Sequence, residues 1–306
     1  MQPSPDAEVV VIRNAGSGPE GDRDDGATLD AAFAGQGLRA RVVMVEHGDR
    51  IATAVDEALA DGAKRIVAAG GDGTVNAVAS RLLDRDVVLG VLPMGTLNHF
   101  ARDLGIPVDP EAAVAIIAAG HERRTDVGEV NDRIFLNNSS IGLYPRIVTE
   151  REHAQHSLGA GKWPALARAT WHALRHPTSF SVAVRVDGET IERRTPFIFV
   201  GNNCYVLAGF GLGTRTCLDD GVLALYVLRP KSPIGLLWMG LRALLGIGSH
   251  ANDFDAIEAE SFEIQGPHHD VEVATDGEVT QMTSPIRYRI RPRSLRVLAP
   301  EPKERA

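Results

Sequence analysis

The rhythm of apolar and polar positions changes about two-fifths of the way along the chain. Up to about residue 127, short apolar runs alternate with helical periodicity. EVVVIRN (8–14), RARVVMVE (39–46), RIVAAG (65–70) and VVLGVL (87–92) predict strands, and the composition of the third predicts burial on both faces. Between them, Leu29, Ala32 and Phe33 recur at helical spacing. DRIATAVDEALADG (49–62) predicts a helix stopped at Gly62, and VNAVASRLL (75–83) predicts another. NHFARDLG (98–105) predicts a short helix ended by Gly105 and Pro107. PEAAVAIIAAG (110–120) predicts a helix with proline in its first turn. Strands alternating with helices imply a parallel sheet covered on both faces.

Beyond about residue 128 the pattern is one of short strands separated by turns. DRIFLNNSS, SFSVAVRVDGETIERR, TPFIFVGNN, GVLALYVLRP, SFEIQG, VEVATDGE and IRYRIRP all read this way, with a tight hairpin at VDGE (186–189). A mainly antiparallel β domain is expected, interrupted by helical segments near 155–176 and 232–246. A length of 306 residues suits two domains. We place an α/β domain at 1–128 and a β-rich domain at 129–291.

Composition narrows the classes. An apolar fraction of 44% with 24% charged residues is that of a globular protein. A net charge of -8 argues against a general nucleic-acid binder. Two cysteines, Cys204 and Cys217, give no disulfide framework and point to a reducing compartment. The N-terminus has no basic region before its short apolar run, so no secretory signal is expected. No run reaches the roughly 18–20 apolar residues of a spanning helix. The expectation is a soluble cytoplasmic protein, with peripheral contact at the inner membrane face as an option.

Candidate chemistry begins at AAGGDGTVN (68–76). Ligands of open α/β sheets bind beyond the carboxyl ends of the strands. Gly70 and Gly71 sit at such an end and leave no Cβ in the way of a phosphate, and turn amides can then point at its oxygens. Thr74 suits an N-cap or a hydroxyl donor, and a helix starting at Val75 adds a positive dipole end. Asp72 would repel phosphate alone. It makes sense if it holds Mg²⁺, or if it orients or deprotonates an attacking hydroxyl. The competing reading is a structural turn with a solvated Asp. A second such loop, in LPMGTLNHFARDLG (92–105), offers Gly95, Thr96 and a helix starting at Asn98. The first strand ends in NAGSG (14–18), where Asn14 and Ser17 are candidates. Three small-residue loops along one sheet edge describe a nucleotide cleft.

Other signatures fail or stay open. HSLGAGKW (156–163) lacks the leading Gly of a P-loop and has Trp163 in place of Ser/Thr. GFGLG (209–213) lies between strands and reads as a turn. Adjacent His268 and His269 beside Asp270 face opposite ways in a strand, so an exposed loop is preferred over a metal site. Residues 146–176 carry five Lys/Arg against two acids, with Trp163, Leu166 and Trp171 interleaved. This is either a membrane-interface segment or an amphipathic helix packed on the β domain. IGLLWMGLRALLGIG (234–248) reads as a core helix.

GGDGT followed by Asn76, GTLNHFARDLG, NAGSG, DVGEVNDRIFLNNSSIG (126–142), LDDGVLALYVL (218–228) and TDGE (275–278) together resemble the diacylglycerol kinase catalytic-domain superfamily, the bacterial lipid kinases related to sphingosine and ceramide kinases. GGDGT alone is shared with NAD kinases and phosphofructokinase-like enzymes; the ordered combination is specific. The resemblance implies an α/β nucleotide domain (1–128), joined by a returning C-terminal strand near 292–306, and a β-sandwich-like second domain (129–291), with the site between them. It implies ATP and Mg²⁺, with the γ-phosphate passed to a lipid hydroxyl such as that of diacylglycerol. Gly70, Gly71, Asp72, Gly73, Thr74, Val75, Asn76 and Thr96 would bind ATP, with Asn14, Ser17, Gly95 and Asn98 beside them. Asp276 or Glu278 would accept the hydroxyl proton. Mg²⁺ would sit on the Asp220 side chain with backbone oxygens near Cys217 and Val222. By itself TDGE is a hairpin turn, Asp-Gly being its commonest signal. A second copy of the chain is a further candidate partner. An NAD-kinase-like enzyme and a catalytically inactive regulator are the alternatives. The chain departs from the family pattern at His99, Met44 and Tyr144, where Asp, Thr and Asp are usual, and in GLGTRTCLDDG, which lacks the usual Pro-x-Ala.

Overall fold

The structure, a computed structural model, describes residues 8–16, 25–142, 179–205, 215, 217–229, 235, 253–266 and 268–301. Ser17, Tyr144, the segments 146–176 and 234–248, and the loops HSLGAGKW and GFGLG lie outside these described residues, apart from Gly235. The chain divides into two compact units, Met1–Thr125 with Arg293–Ala306, and Asp126–Pro292.

In the first unit, strands β1 (Glu8–Asn14), β2 (Arg39–Val45), β3 (Arg65–Gly70) and β4 (Val88–Pro93) alternate with helices α1 (Asp25–Gly35), α2 (Ile51–Ala60) and α3 (Asp72–Leu82). Helices α4 (His99–Asp103) and α5 (Pro110–Ala119) follow. The strands lie parallel in the order β2-β1-β3-β4. All six residues of β4 and the last five of β3 are buried, as expected of strands covered on both faces. Helix α2 buries Ile51, Ala54, Val55 and Ala58, one face at helical spacing. It ends where Gly62 takes a φ of 84°, with the N–H of Ala63 donating back to the Ala58 carbonyl. Helix α5 starts at Pro110, capped by the Asp109 carboxylate on the N–H of Ala112.

The second unit is a two-sheet sandwich. Its strands are β5 (Glu122–Val130, entering from the first unit), β6 (Arg133–Phe135), β7 (Asn138–Gly142), β8 (Phe180–Val186), β9 (Glu189–Thr195), β10 (Phe197–Asn202), β11 (Leu223–Leu228), β12 (Phe254–Ala259), β13 (Ser261–Gln265), β14 (Asp270–Thr275), β15 (Glu278–Thr283) and the first part of β16 (Ile286–Leu298). One sheet is antiparallel throughout, in the order β12-β11-β10-β7-β14-β15. The other runs β16-β13-β8-β9, with the β5–β6 hairpin beside β16. Inward residues of both sheets, among them Ile141, Val184, Val200, Leu225, Ile264 and Tyr288, form one core. The fold class is therefore an α/β unit with a mainly antiparallel sandwich. DRIFLNNSS, read as one strand, is two (β6 and β7), because Leu136 and Asn137 turn their backbone to side-chain partners described below. The Asp-Gly pairs at 187–188 and 276–277 make two-residue hairpins, with φ of 49° and 82° at Asp187–Gly188 and 47° and 91° at Asp276–Gly277.

Strand β16 belongs to both units. Ile286, Tyr288 and Ile290 point inward in the second unit, and Leu295 and Val297 are buried in the first. The inward positions change from even to odd at Pro292–Arg293, where Arg293 takes a φ of 49°. A strand alternates faces with period two, so this one-residue shift keeps both ends apolar-side-in. Its last part pairs in parallel with β4, Val297 opposite Leu89, and Arg296 pairs with Glu122 and Asp86.

Candidate active site

The strand order reverses between β1 and β3, so the loops leaving their carboxyl ends diverge there. That switch point is where open α/β sheets bind ligands. Three contacts hold the loops. Asn14 Nδ2 donates to Thr74 Oγ1 at 3.1 Å, joining the end of β1 to the first turn of α3. The Gly95 and Gly71 backbones meet so closely that a Cβ on Gly95 would lie 2.4 Å from the Gly71 Cα. The Asp72 carboxylate accepts the N–H groups of His99 and Phe100, both at 3.1 Å. Asn98, buried in a left-handed conformation (φ 50°), closes the second loop on itself. Its Oδ1 accepts from Gly95 N at 2.9 Å, and its Nδ2 donates to Gly95 O at 2.8 Å.

This geometry revises several sequence expectations. Helix α3 starts at Asp72 rather than Val75, and its N-cap is Gly71, which supplies no side chain. The first intrahelical bond is Val75 N–H to Gly71 O, so the Val75 amide is occupied. The amides of Asp72, Gly73 and Thr74 precede it and have no acceptor within the helix. A helix N-terminus left open in this way is suited to an anion. Thr74 is not a cap. It is 3% exposed, and its side chain folds over Gly70, where any Cβ would lie 2.5–2.8 Å from it. Asp72 fastens one loop to the other through backbone amides. His99 serves this contact through its main chain, so the departure there leaves the contact intact. Thr96 and Leu97 stand exposed at the loop tip, and Asn76 is half-buried in α3.

In the second unit the Asp276 carboxylate accepts three main-chain N–H groups, from Leu136 at 2.7 Å, Asn137 at 2.9 Å and Asn138 at 3.1 Å. Glu278, across the turn, is exposed, with Arg133 at 3.7 Å. A buried polar network that the sequence did not disclose holds the same stretch. Asn202 Nδ2 donates to the carbonyls of Asp126 and Leu136, both at 2.9 Å. Arg215 donates to the Leu136 carbonyl and to Asn137 Oδ1, and the Tyr205 hydroxyl donates to the Asn137 carbonyl. The available signal was the pair Asn202-Asn203 directly after an apolar strand, since fully buried amides need partners.

The same network sets the 217–222 loop. Asn203 Oδ1 accepts the Asp220 N–H at 3.1 Å, the Asn203 N–H donates to the Val222 carbonyl at 3.0 Å, and Asp126 Oδ2 accepts the Gly221 N–H at 2.7 Å. The Asp220 side chain is exposed beside the Cys217 thiol. Among the described residues no three His, Cys, Asp or Glu side chains gather as a metal cage. The exposed Asp220 carboxylate is a hard-oxygen donor of the kind a hydrated Mg²⁺ takes, while the Val222 carbonyl already accepts the Asn203 N–H. His268 and His269 are exposed, with His269 Nδ1 3.1 Å from Asp270 Oδ1. Among the described residues no helix is long and apolar enough to cross a membrane.

A model of the diacylglycerol kinase catalytic domain matches residues 8–130, and one of the YegS C-terminal NAD kinase beta sandwich-like domain matches residues 146–299. A relative from Pseudomonas aeruginosa, described as a probable lipid kinase YegS-like protein, is 31% identical over 308 residues, covering 96% of this chain and 95% of the relative. The probable lipid kinase YegS of Escherichia fergusonii is 31% identical over 252 residues, covering 79% and 81%. A crystal structure of a diacylglycerol kinase from Bacillus anthracis shares the fold, with a TM-score of 0.70, 22% identity, and 96% and 97% of the two chains covered. An α/β unit with small-residue loops at its switch point and an antiparallel sandwich is thus the fold of a two-domain kinase. The chain belongs to the diacylglycerol kinase catalytic-domain family, among the YegS-like lipid kinases, and is a phosphotransferase.

Proposed function

We propose that the protein transfers the γ-phosphate of ATP to a hydroxyl of a lipid, with Mg²⁺ as cofactor. One observation carries this reading: the loops of β1, β3 and β4 are tied together around an uncapped helix N-terminus, leaving the amides of Asp72, Gly73 and Thr74 to hold phosphate oxygens. Phosphoryl transfer needs positioning and charge neutralisation more than covalent chemistry. Preorganised amides supply both without reorganisation. Gly95 and Thr96 line the second loop, and Asn14 braces the first. Asp220 with the carbonyls of Cys217 and Val222 would hold Mg²⁺, which when bound neutralises charge on phosphate oxygens.

In this reading the acceptor hydroxyl oxygen attacks the γ-phosphorus, ADP leaves, and a carboxylate of the Asp-Gly-Glu hairpin takes the proton. Glu278 suits that role better than Asp276, whose oxygens already accept three N–H groups. A lipid acceptor implies work at a membrane surface, and ATP implies its cytoplasmic side.

The test is transfer from γ-labelled ATP to a panel of lipid alcohols, with NAD and glycerol as soluble competitors and Mg²⁺ varied. Label in a lipid product, dependent on Mg²⁺, is the expected result. Label in NAD alone, or in nothing, overturns the proposal.

A further inference from the structure

Arg215 lies in GLGTRTCLDDG, where the chain lacks the Pro-x-Ala usual in the family. It is 8% exposed, with its guanidinium carbon 5.9 Å from the centre of the Tyr205 ring. Nη1 donates to the Leu136 carbonyl at 2.5 Å, and Nη2 donates to Asn137 Oδ1 at 3.1 Å. Taking a guanidinium out of water is costly, and an apolar side chain would fill the same space without that penalty. The charge therefore has a use that packing alone does not supply.

The stretch that Arg215 grips is also gripped by the hairpin of the proposed base. The Asp276 carboxylate accepts the N–H groups of Leu136, Asn137 and Asn138, and the Asp276 N–H donates to the Asn138 carbonyl at 2.9 Å. A cation and an anion thus share one short platform: Arg215 takes its oxygens and Asp276 its N–H groups. Arg215 stands five residues before Asp220, and Asp276 two before Glu278. The platform therefore joins the loop of one carboxylate to the hairpin of another. Asp220 has holders of its own, since Asn203 Oδ1 accepts its N–H at 3.1 Å and Asp126 Oδ2 accepts that of Gly221 at 2.7 Å. Loss of Arg215 should therefore disturb the hairpin and spare the metal carboxylate.

We infer that Arg215 is a positioning residue for phosphoryl transfer: it fixes the 136–138 platform to the Asp220 loop and so sets where the hairpin presents the Glu278 carboxylate. This rests on the reading of Glu278 as proton acceptor and deepens it, because a side chain outside the Asp-Gly-Glu motif governs the aim of the base. Arginine suits the task. Its planar fork reaches two oxygens at once, where a lysine ammonium is a single point charge.

The test is single-turnover transfer from γ-labelled ATP to dioctanoylglycerol in micelles, or to the panel lipid that wild type labels best. R215M and R215K are each measured alone and combined with E278Q. R215M should lower the rate about tenfold, the scale of one lost hydrogen bond to a charged group, and R215K about threefold. KM for ATP and the Mg²⁺ concentration for half-maximal activity should stay at wild-type values. In the E278Q background neither change should slow transfer further, because no base is left to aim. A proportional loss in both backgrounds would mark a merely structural role and overturn the inference, as would a wild-type rate in R215M. R215K keeps the buried charge and carries the same comparison where R215M does not fold. Full activity of E278Q removes the base assignment, and this inference with it, but leaves the kinase reading standing. Failure of wild type to label any lipid removes the kinase reading itself.

Discussion

Gly71 and Gly95 touch backbone to backbone: a methyl group on Gly95 would stand 2.4 Å from the Gly71 Cα and 2.9 Å from Asn98 Oδ1. No side chain fits there, because both neighbours are fixed, one as main chain and the other by two hydrogen bonds. Gly95→Ala must therefore push the β3 and β4 loops apart. We expect a loss of about 1–3 kcal/mol in stability, typical of overpacking. Nucleotide affinity should fall at least tenfold, read by calorimetry with a non-hydrolysable ATP analogue. Wild-type affinity in this variant would show that the two loops do not act together.

Asp276 and Glu278 flank one turn but should fail differently. In Asp276→Asn an NH₂ group replaces one oxygen that accepts from Leu136 or Asn137 and Asn138, so at least one N–H meets a donor. We expect a loss of about 2–4 kcal/mol on urea unfolding, since hydrogen bonds to a charged group are the stronger kind. Glu278→Gln should unfold like wild type and bind ATP like wild type, while single-turnover phosphoryl transfer falls at least a hundredfold. Full turnover by Glu278→Gln would return the base assignment to Asp276.

Asp72 joins α3 to α4 through the N–H groups of His99 and Phe100. Asp72→Ala leaves both amides without that acceptor and should cost about 1–2 kcal/mol, the range of a lost helix cap. ATP affinity should drop with it. The Mg²⁺ concentration giving half-maximal activity should not move. A rise in that concentration would mean that Asp72 touches the metal itself.

Asp255 ties edge strand β12 to β9 of the opposite sheet. Its carboxylate meets Arg193 Nε at 3.1 Å and Arg229 Nη2 at 2.9 Å. Arg229 first, and Arg193 with it, hold this carboxyl below its ordinary value of 3.8, while partial burial pulls the other way. A group with a lowered folded-state value stabilises fully above the ordinary value and loses that contribution as pH falls through the lowered one. We expect Asp255→Asn to cost under about 1 kcal/mol at pH 7, as for other part-exposed pairs. The gap to wild type should close as pH falls below that ordinary value in urea titrations. A gap that is unchanged at low pH would show that the effect is packing rather than charge.

The elements of the first unit were legible because their signals are local. Apolar runs of strand length, and Ile51, Ala54, Val55 and Ala58 at helical spacing, can be read without knowing what they pack against. The start of α3 was misread because Gly-Gly-Asp-Gly looks like loop. A first helical turn needs no side chain of its own when Asn14 and Gly95 support it from other strands. The motifs identified the family, but not which atoms each residue would use. Asp72 and Asp276 both turned out to hold main-chain amides, contacts that span 28 and 140 positions. Arg215, which reaches 79 positions to Leu136, carried no local signal at all.

Strand β16 completes the sheet of the first unit, yet it is synthesised only after all the sandwich strands. During translation β4 must wait, with its outer edge unpaired, for a partner more than two hundred residues away. Exposed strand edges invite wrong pairing. The nascent enzyme therefore cannot assemble its α/β half early. Production of this protein should depend on chaperone supply in a way that a simple N-terminal-first folder would not.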